Sequence, residues 1–94
     1  MSDGKLYDEV ARAARAEHLL NDTLLSECVA KVRAAYLAAW ETTKHDETDK
    51  REQLWLSLSA LEQVMNEIRS VANSGKMAKL MLERAYQRKE QQAN

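Results

Sequence analysis

The side chains best suited to chemistry lie together near mid-chain, in the run His45-Asp46-Glu47-Thr48-Asp49. An imidazole beside several carboxylates offers the ligand types that hold divalent metal ions. The spacing does not fit a metal site, because the sequence has no His-Glu-x-x-His pair and no twelve-residue calcium loop with its central glycine. We interpret the run as a solvated acidic turn whose carboxylates cap the following helix, and we expect no metal and no cofactor.

Nucleophilic catalysis is not indicated by the sequence either. A hydroxyl or thiol nucleophile needs a neighbouring base, and neither His18 nor His45 stands at a spacing that suggests such a pair. The sequence also has no glycine-rich phosphate loop. Cys28 falls in an apolar run, which predicts a buried and unreactive thiol. We therefore expect a protein that is not an enzyme.

The elements that position these residues are predicted to be helices. The 94 residues include no proline and only two glycines, a composition that argues against turn-rich β folds. Apolar residues recur at steps of three and four along the chain, which is the helical period. The predicted fold is all-α: an antiparallel helical hairpin whose amphipathic terminal helices close a helix bundle within one chain or between chains. We predict one domain with a helix over 1–20, hairpin arms over 22–43 and 49–73, a helix over 76–90 and a frayed end over 91–94.

Three breaks divide these helices. The Thr-rich segment 42–49 has no large aliphatic side chain and is the predicted hairpin turn, with Thr48, or Asp49 together with Glu52, capping the second arm. Residues 21–23 form a weaker break. Gly75 is predicted to end the second arm as a C-cap, because glycine adopts positive φ at little cost. The sequence leaves open whether the terminal helices extend the arms or fold back.

A seam of apolar residues along the second arm alternates steps of four and three, as in a coiled coil. A hairpin that turns near residue 46 places Trp40 opposite Trp55, with Tyr36 or Leu37 opposite Leu58. Apolar residues beside the seam widen it beyond the footprint of one partner helix, which favours a homo-oligomer, a dimer or higher, and contacts with other proteins. The predicted hairpin and oligomer interface comprises Val32, Tyr36, Trp40, Leu54, Trp55, Leu58, Leu61, Met65 and Ile68. In the C-terminal helix, Met77, Leu80, Met81 and Ala85 are the predicted core.

The charge pattern keeps a second function open. The formal net charge is −1, which supplies no overall basic face for nucleic acid. The last quarter of the chain is nevertheless basic, and an oligomer would display it several times. The alternative is therefore a nucleic-acid-associated small subunit for DNA packaging or regulation. Its candidate anion or nucleic-acid contacts are Lys76, Lys79, Arg84, Arg88 and Lys89.

Several short motifs between residues 40 and 80 resemble those of small bacteriophage-encoded helical proteins. They are Trp40-Glu-Thr-Thr, Asp46 to Asp49, Arg51-Glu-Gln-Leu-Trp55, Ala60-Leu-Glu-Gln-Val64 and Gly75-Lys76. The resemblance implies a viral setting, with a role in virion structure or assembly. The sequence shows neither a secretory signal nor a membrane span, so we expect the protein in the host cytoplasm or the virion and not in the secreted fraction.

Overall fold

A computed structural model of the protein describes residues 3–93. Within that range, 91% of the residues are helical and no strand occurs, so the predicted all-α fold is confirmed. The helices are α1 (Asp3–Leu20), α2 (Thr23–Glu41) and α3 (Thr48–Ala93). The first two residues of the predicted N-terminal helix, and Asn94 of the predicted frayed end, lie outside the described residues.

The helices are organised into two compact units. The central unit is Asn21–Glu67, which contains α2 and the first part of α3. The terminal unit is formed by α1 together with α3 from Ile68 onward. The long helix α3 therefore supplies one wall of each unit.

In the central unit, α2 and α3 pack antiparallel, which confirms the predicted hairpin. Two contacts fix the direction, because Trp40 near the end of α2 meets Arg51 at the start of α3, whereas Arg33 further from the turn meets Glu62. The side chains turned inward recur at helical spacing on both arms. They are buried or half-buried and include Leu25, Val29, Tyr36, Leu54, Leu58, Leu61 and Met65.

The ends of the hairpin arms are held by local hydrogen bonds. The Asp22 carboxylate accepts from the Leu25 amide at 2.8 Å and caps α2. After α2, the hydroxyls of Thr42 and Thr43 donate to carbonyl groups of the last helical turn, at 2.8 and 2.6 Å. The Glu47 carboxylate accepts from the Lys44 amide at 2.9 Å inside the turn. Helix α3 then begins at Thr48, one residue before the predicted start.

The terminal unit is built on small side chains. Helix α1 and the end of α3 run antiparallel, since Asp3 lies 3.9 Å from Lys89 while Ala13 faces Gly75. The buried residues of α1 are one leucine and two alanines. On α3 the buried positions step by three, at Ala72, Gly75 and Ala78. Small side chains let the two helix backbones approach closely, and they bury little apolar area each.

The predicted helix C-cap at Gly75 is wrong. Helix α3 continues through this residue to Ala93, and no glycine among the described residues has positive φ. A Cβ added at Gly75 would overlap Ala13 Cβ and lie 3.4 Å from the Glu9 carbonyl oxygen. The glycine is therefore needed for close helix contact, which offsets its cost of about 1 kcal/mol inside a helix.

Two further predictions, each about which side chains are buried, are wrong. Because α3 is continuous, its helical phase carries on through Gly75, so Ala78 and Leu82 turn inward while Met77, Leu80 and Met81 are exposed. On α2, Cys28 is exposed rather than buried. The inward stripe there runs through Val29, and the preceding residue lies about 100° around the helix from it.

Candidate protein-interaction site

The most exposed aromatic side chain of the central unit is Trp55, near the start of α3. It is 63% exposed, although a tryptophan is usually largely buried in a folded protein. The same side chain lines three neighbouring depressions in the surface of the unit. We call the surface formed by Trp55 and these three depressions the Trp55 surface.

The first depression of the Trp55 surface is apolar. It has a volume of about 250 Å³, and aromatic and leucine side chains line it: Tyr36, Leu37, Trp40, Leu54, Trp55 and Leu58. This volume is below the range of about 300–1,000 Å³ that is usual for small-molecule sites. An opening of this size and lining suits one or two apolar side chains of a protein partner.

The other two depressions bring acidic side chains to the rim. Glu62 and Glu67 lie in one of them beside Trp55, Leu58 and polar residues. Glu52 lies in the other, together with Arg51, Trp40 and the exposed Leu56. Nine acidic and five basic residues make the whole central unit negative. The Trp55 surface is therefore an apolar centre in an acidic surround.

A cation–π contact supports the tryptophan on the facing arm. The guanidinium carbon of Arg51 lies 4.0 Å from the ring centre of Trp40. The buried Arg51 Nε has no hydrogen-bond partner. The contact with the Trp40 ring is the interaction that the structure shows for this guanidinium. Arg51 is not among the predicted interface residues. Its spacing of four from Trp55 is the signal that puts both side chains on one face of α3.

An ion pair also joins the arms, and the sequence prediction missed it. Arg33 Nε donates to Glu62 Oε1 at 2.6 Å, and a second guanidinium nitrogen contacts the same oxygen. Both side chains are a little over one-third exposed. The pair lies seven residues further from the turn than Trp40 and Trp55 on each arm. The predicted register, which places Trp40 opposite Trp55, therefore also places Arg33 opposite Glu62.

Most residues of the predicted interface occupy the seam between α2 and α3. Trp40, Leu54, Trp55 and Leu58 meet Tyr36 at the apolar depression. Leu61 is half-buried and Met65 is buried. Val32 is exposed, and Ile68 is half-buried in the terminal unit. The sequence prediction named Leu37 only as an alternative to Tyr36, and both line the depression.

The predicted anion-contact residues lie in the terminal unit. Lys76, Lys79, Arg84, Arg88 and Lys89 are all exposed on α3. Lys89 lies 3.9 Å from Asp3 of α1, so part of its charge is compensated locally. With nine basic and six acidic residues, the terminal unit is positive.

In the acidic turn, the Glu47 carboxylate accepts from the Lys44 amide and lies 3.9 Å from the Lys50 ammonium group. Among residues 3–93, no group of three or more His, Cys, Asp or Glu side chains is arranged to hold a metal ion. No helix within the described range combines the length and the apolar character that crossing a membrane requires.

Comparisons with family models, curated proteins and solved structures find no match to this chain.

Proposed function

We propose that this chain is a non-enzymatic helical protein that acts through protein–protein contacts, self-association above all, and that the Trp55 surface makes those contacts. The observation that carries the proposal is the 63% exposure of Trp55 beside an apolar depression. Tryptophan is enriched among the residues that dominate binding energy at protein interfaces. Covering this side chain would remove apolar area from water, the main driving force of association.

The surroundings of Trp55 support the same function. Leu56, which lines one of the depressions, is also mostly exposed, so the apolar surface extends beyond one side chain. Acidic residues stand at its rim, and interfaces commonly combine an apolar centre with a polar border. This arrangement favours a specific protein partner over non-specific aggregation.

The experiment is light scattering of the purified chain over a range of concentrations, with Trp55→Ser as the test variant. We expect the wild-type mass to rise with concentration and the variant to remain at 10.7 kDa. Leu24→Ser is the matched control, because Leu24 is an equally exposed apolar residue of the central unit outside the three depressions. A wild-type chain that stays monomeric at millimolar concentration would contradict self-association.

The setting we propose for these contacts is a phage particle, as a structural or assembly component. Support comes from the resemblance of residues 40–80 to small phage-encoded helical proteins. Co-purification of the chain with intact particles from an infected culture tests this, with recovery only in the particle-free fraction as the contradicting result.

A second function, a nucleic-acid-associated subunit, is favoured by one observation. The terminal unit is positive, and its exposed basic residues follow one another along α3. Duplex DNA binding at about 50 and 200 mM salt tests it, because phosphate contacts make affinity fall steeply with salt. Loss of such binding in a Lys79→Glu/Arg84→Glu variant would support this function. No binding at low salt would contradict it.

A further inference from the structure

The terminal unit exposes an apolar face of its own. Met77, Leu80 and Met81 are 57%, 40% and 46% exposed. Their spacing of three and four places them side by side on one face of α3. Arg84 and Arg88 follow Met81 at successive spacings of three and four, so they lie on that face, and both are exposed. We call this the Met77 face.

The Met77 face and the Trp55 surface are complementary in charge. The Trp55 surface has Glu52 and Glu67 at its rim, within a unit in which acidic residues outnumber basic ones by nine to five. The Met77 face has Arg84 and Arg88 on it, within a unit in which basic residues outnumber acidic ones by nine to six. Both have apolar centres. An amphipathic helix laid into an apolar groove is a common mode of protein recognition.

We propose that the occupant of the Trp55 surface is the Met77 face of a second copy of this chain. This inference rests on the proposed function, since it names the partner of the same surface. Unbranched methionine side chains adapt to irregular apolar depressions, and Met77 or Met81 enters the depression beside Trp55. Arg84 and Arg88 of one copy then lie toward the acidic side of the Trp55 surface on the other.

A second copy of the chain would cover the Met77 face more completely than nucleic acid would. Phosphates would pair with Arg84 and Arg88, yet they would leave the exposed methionine and leucine side chains in contact with water. A protein partner whose apolar groove is bordered by carboxylates contacts both the basic and the apolar side chains. The same chain supplies such a groove. Every copy therefore offers both halves of the contact.

The experiment is a charge exchange between the two surfaces, read as the dissociation constant for self-association by analytical ultracentrifugation. One variant is Glu52→Arg/Glu67→Arg, and the other is Arg84→Glu/Arg88→Glu. Each alone places like charges across the contact, so we expect its dissociation constant to rise by at least about tenfold. An equimolar mixture of the two restores opposite charges, and we expect association near the wild-type level.

The matched control is Glu27→Arg/Asp46→Arg, which changes the net charge of the central unit equally. Both residues are exposed, and neither lines the three depressions. We expect this variant alone to associate like the wild type. Mixed with Arg84→Glu/Arg88→Glu, it can still present its Met77 face to the Trp55 surface of the other chain, but its own Trp55 surface meets an acidic face. We therefore expect weaker association than in the charge-exchanged mixture. Circular dichroism checks that each variant is helical. If an exchanged variant does not fold, Glu52→Gln/Glu67→Gln and Arg84→Gln/Arg88→Gln give the same comparison with a smaller rise.

The possible results separate this inference from the proposed function. If Trp55→Ser dissociates the chain but the charge-exchanged variants associate normally, the Trp55 surface has another occupant and the inference is wrong. A mixture that stays monomeric also overturns it. Loss of duplex DNA binding in Arg84→Glu/Arg88→Glu with unchanged self-association would assign the Met77 face to nucleic acid. A wild-type chain that is monomeric throughout overturns both proposals.

Discussion

The central and terminal units are both pairs of antiparallel helices, yet they are held together by different means. In the central unit, large side chains such as Leu58 and Met65 fill the seam, and an Arg33–Glu62 ion pair crosses it. In the terminal unit, Ala13 faces Gly75 so closely that a Cβ at Gly75 would overlap it. One unit gains its stability from apolar volume, and the other from the proximity of two backbones.

The difference determines what each unit leaves for a partner. Two helices cannot bury every large side chain along the seam, and Trp55 remains on the surface of the central unit. In the terminal unit the small residues face inward, and the large Met77 and Met81 are turned outward. Both units therefore expose apolar side chains, and the two surfaces carry opposite charge.

The largest expected effect tests whether apolar volume holds the central unit. Met65 is 8% exposed, and Met65→Asp would bury a carboxylate and remove a side chain from the seam. We expect a loss of about 4 kcal/mol or more in the free energy of unfolding, measured by urea denaturation followed by circular dichroism. The neighbouring Val64 is mostly exposed, so Val64→Asp should change stability by no more than about 0.5 kcal/mol. Equal losses in both variants would contradict the role of the seam.

A smaller effect tests whether backbone proximity holds the terminal unit. The Cβ of Gly75→Ala would overlap Ala13, so we expect a loss of about 1–3 kcal/mol even though alanine is the better helix former. Hydrogen exchange should locate the loss in α1 and the end of α3. Gly4→Ala is the control, because nothing lies within 4 Å of a Cβ at Gly4.

The overlap can be relieved from the other side. Ala13→Gly removes the methyl group that the new Cβ meets, so the double variant should be more stable than the sum of the two single changes predicts. Strict additivity would show that Gly75 and Ala13 do not limit the approach of the helices.

The smallest effect concerns the Arg33–Glu62 pair. Both side chains are more than one-third exposed, so solvent screens the interaction. A double-mutant cycle with Arg33→Gln and Glu62→Gln should give a coupling energy of about 0.5–1 kcal/mol at low salt, and less at high salt. A coupling above about 3 kcal/mol, unaffected by salt, would mean that the pair is far less hydrated than its exposure indicates.

The hairpin could be predicted because its signals are local or symmetrical. The seam residues Leu54, Leu58, Leu61 and Met65 follow the helical period and are buried or half-buried as expected. The predicted register about residue 46 also brings Trp40 and Trp55 to one depression. A repeat every three or four residues fixes which face of a helix is buried, whatever the partner is.

Gly75 shows what could not be predicted. Glycine ends a helix at positive φ, and it also lies where two helices approach closely. The choice between these roles depended on Ala13, which is 62 residues away in the sequence. Once the cap was assumed, the phase of the following helix was free to shift, and Met77 and Met81 were predicted on the wrong side. The Met77 face was missed for this reason.

The outward position of Cys28 has a practical consequence. It is the one cysteine in the sequence, so each chain carries a single thiol that accepts a spin label or a fluorophore without any substitution. In an assembly closed by a two-fold axis, two such labels report one separation, whereas an open series of copies reports a set of increasing separations. The geometry of the assembly is thus measurable on the wild-type protein.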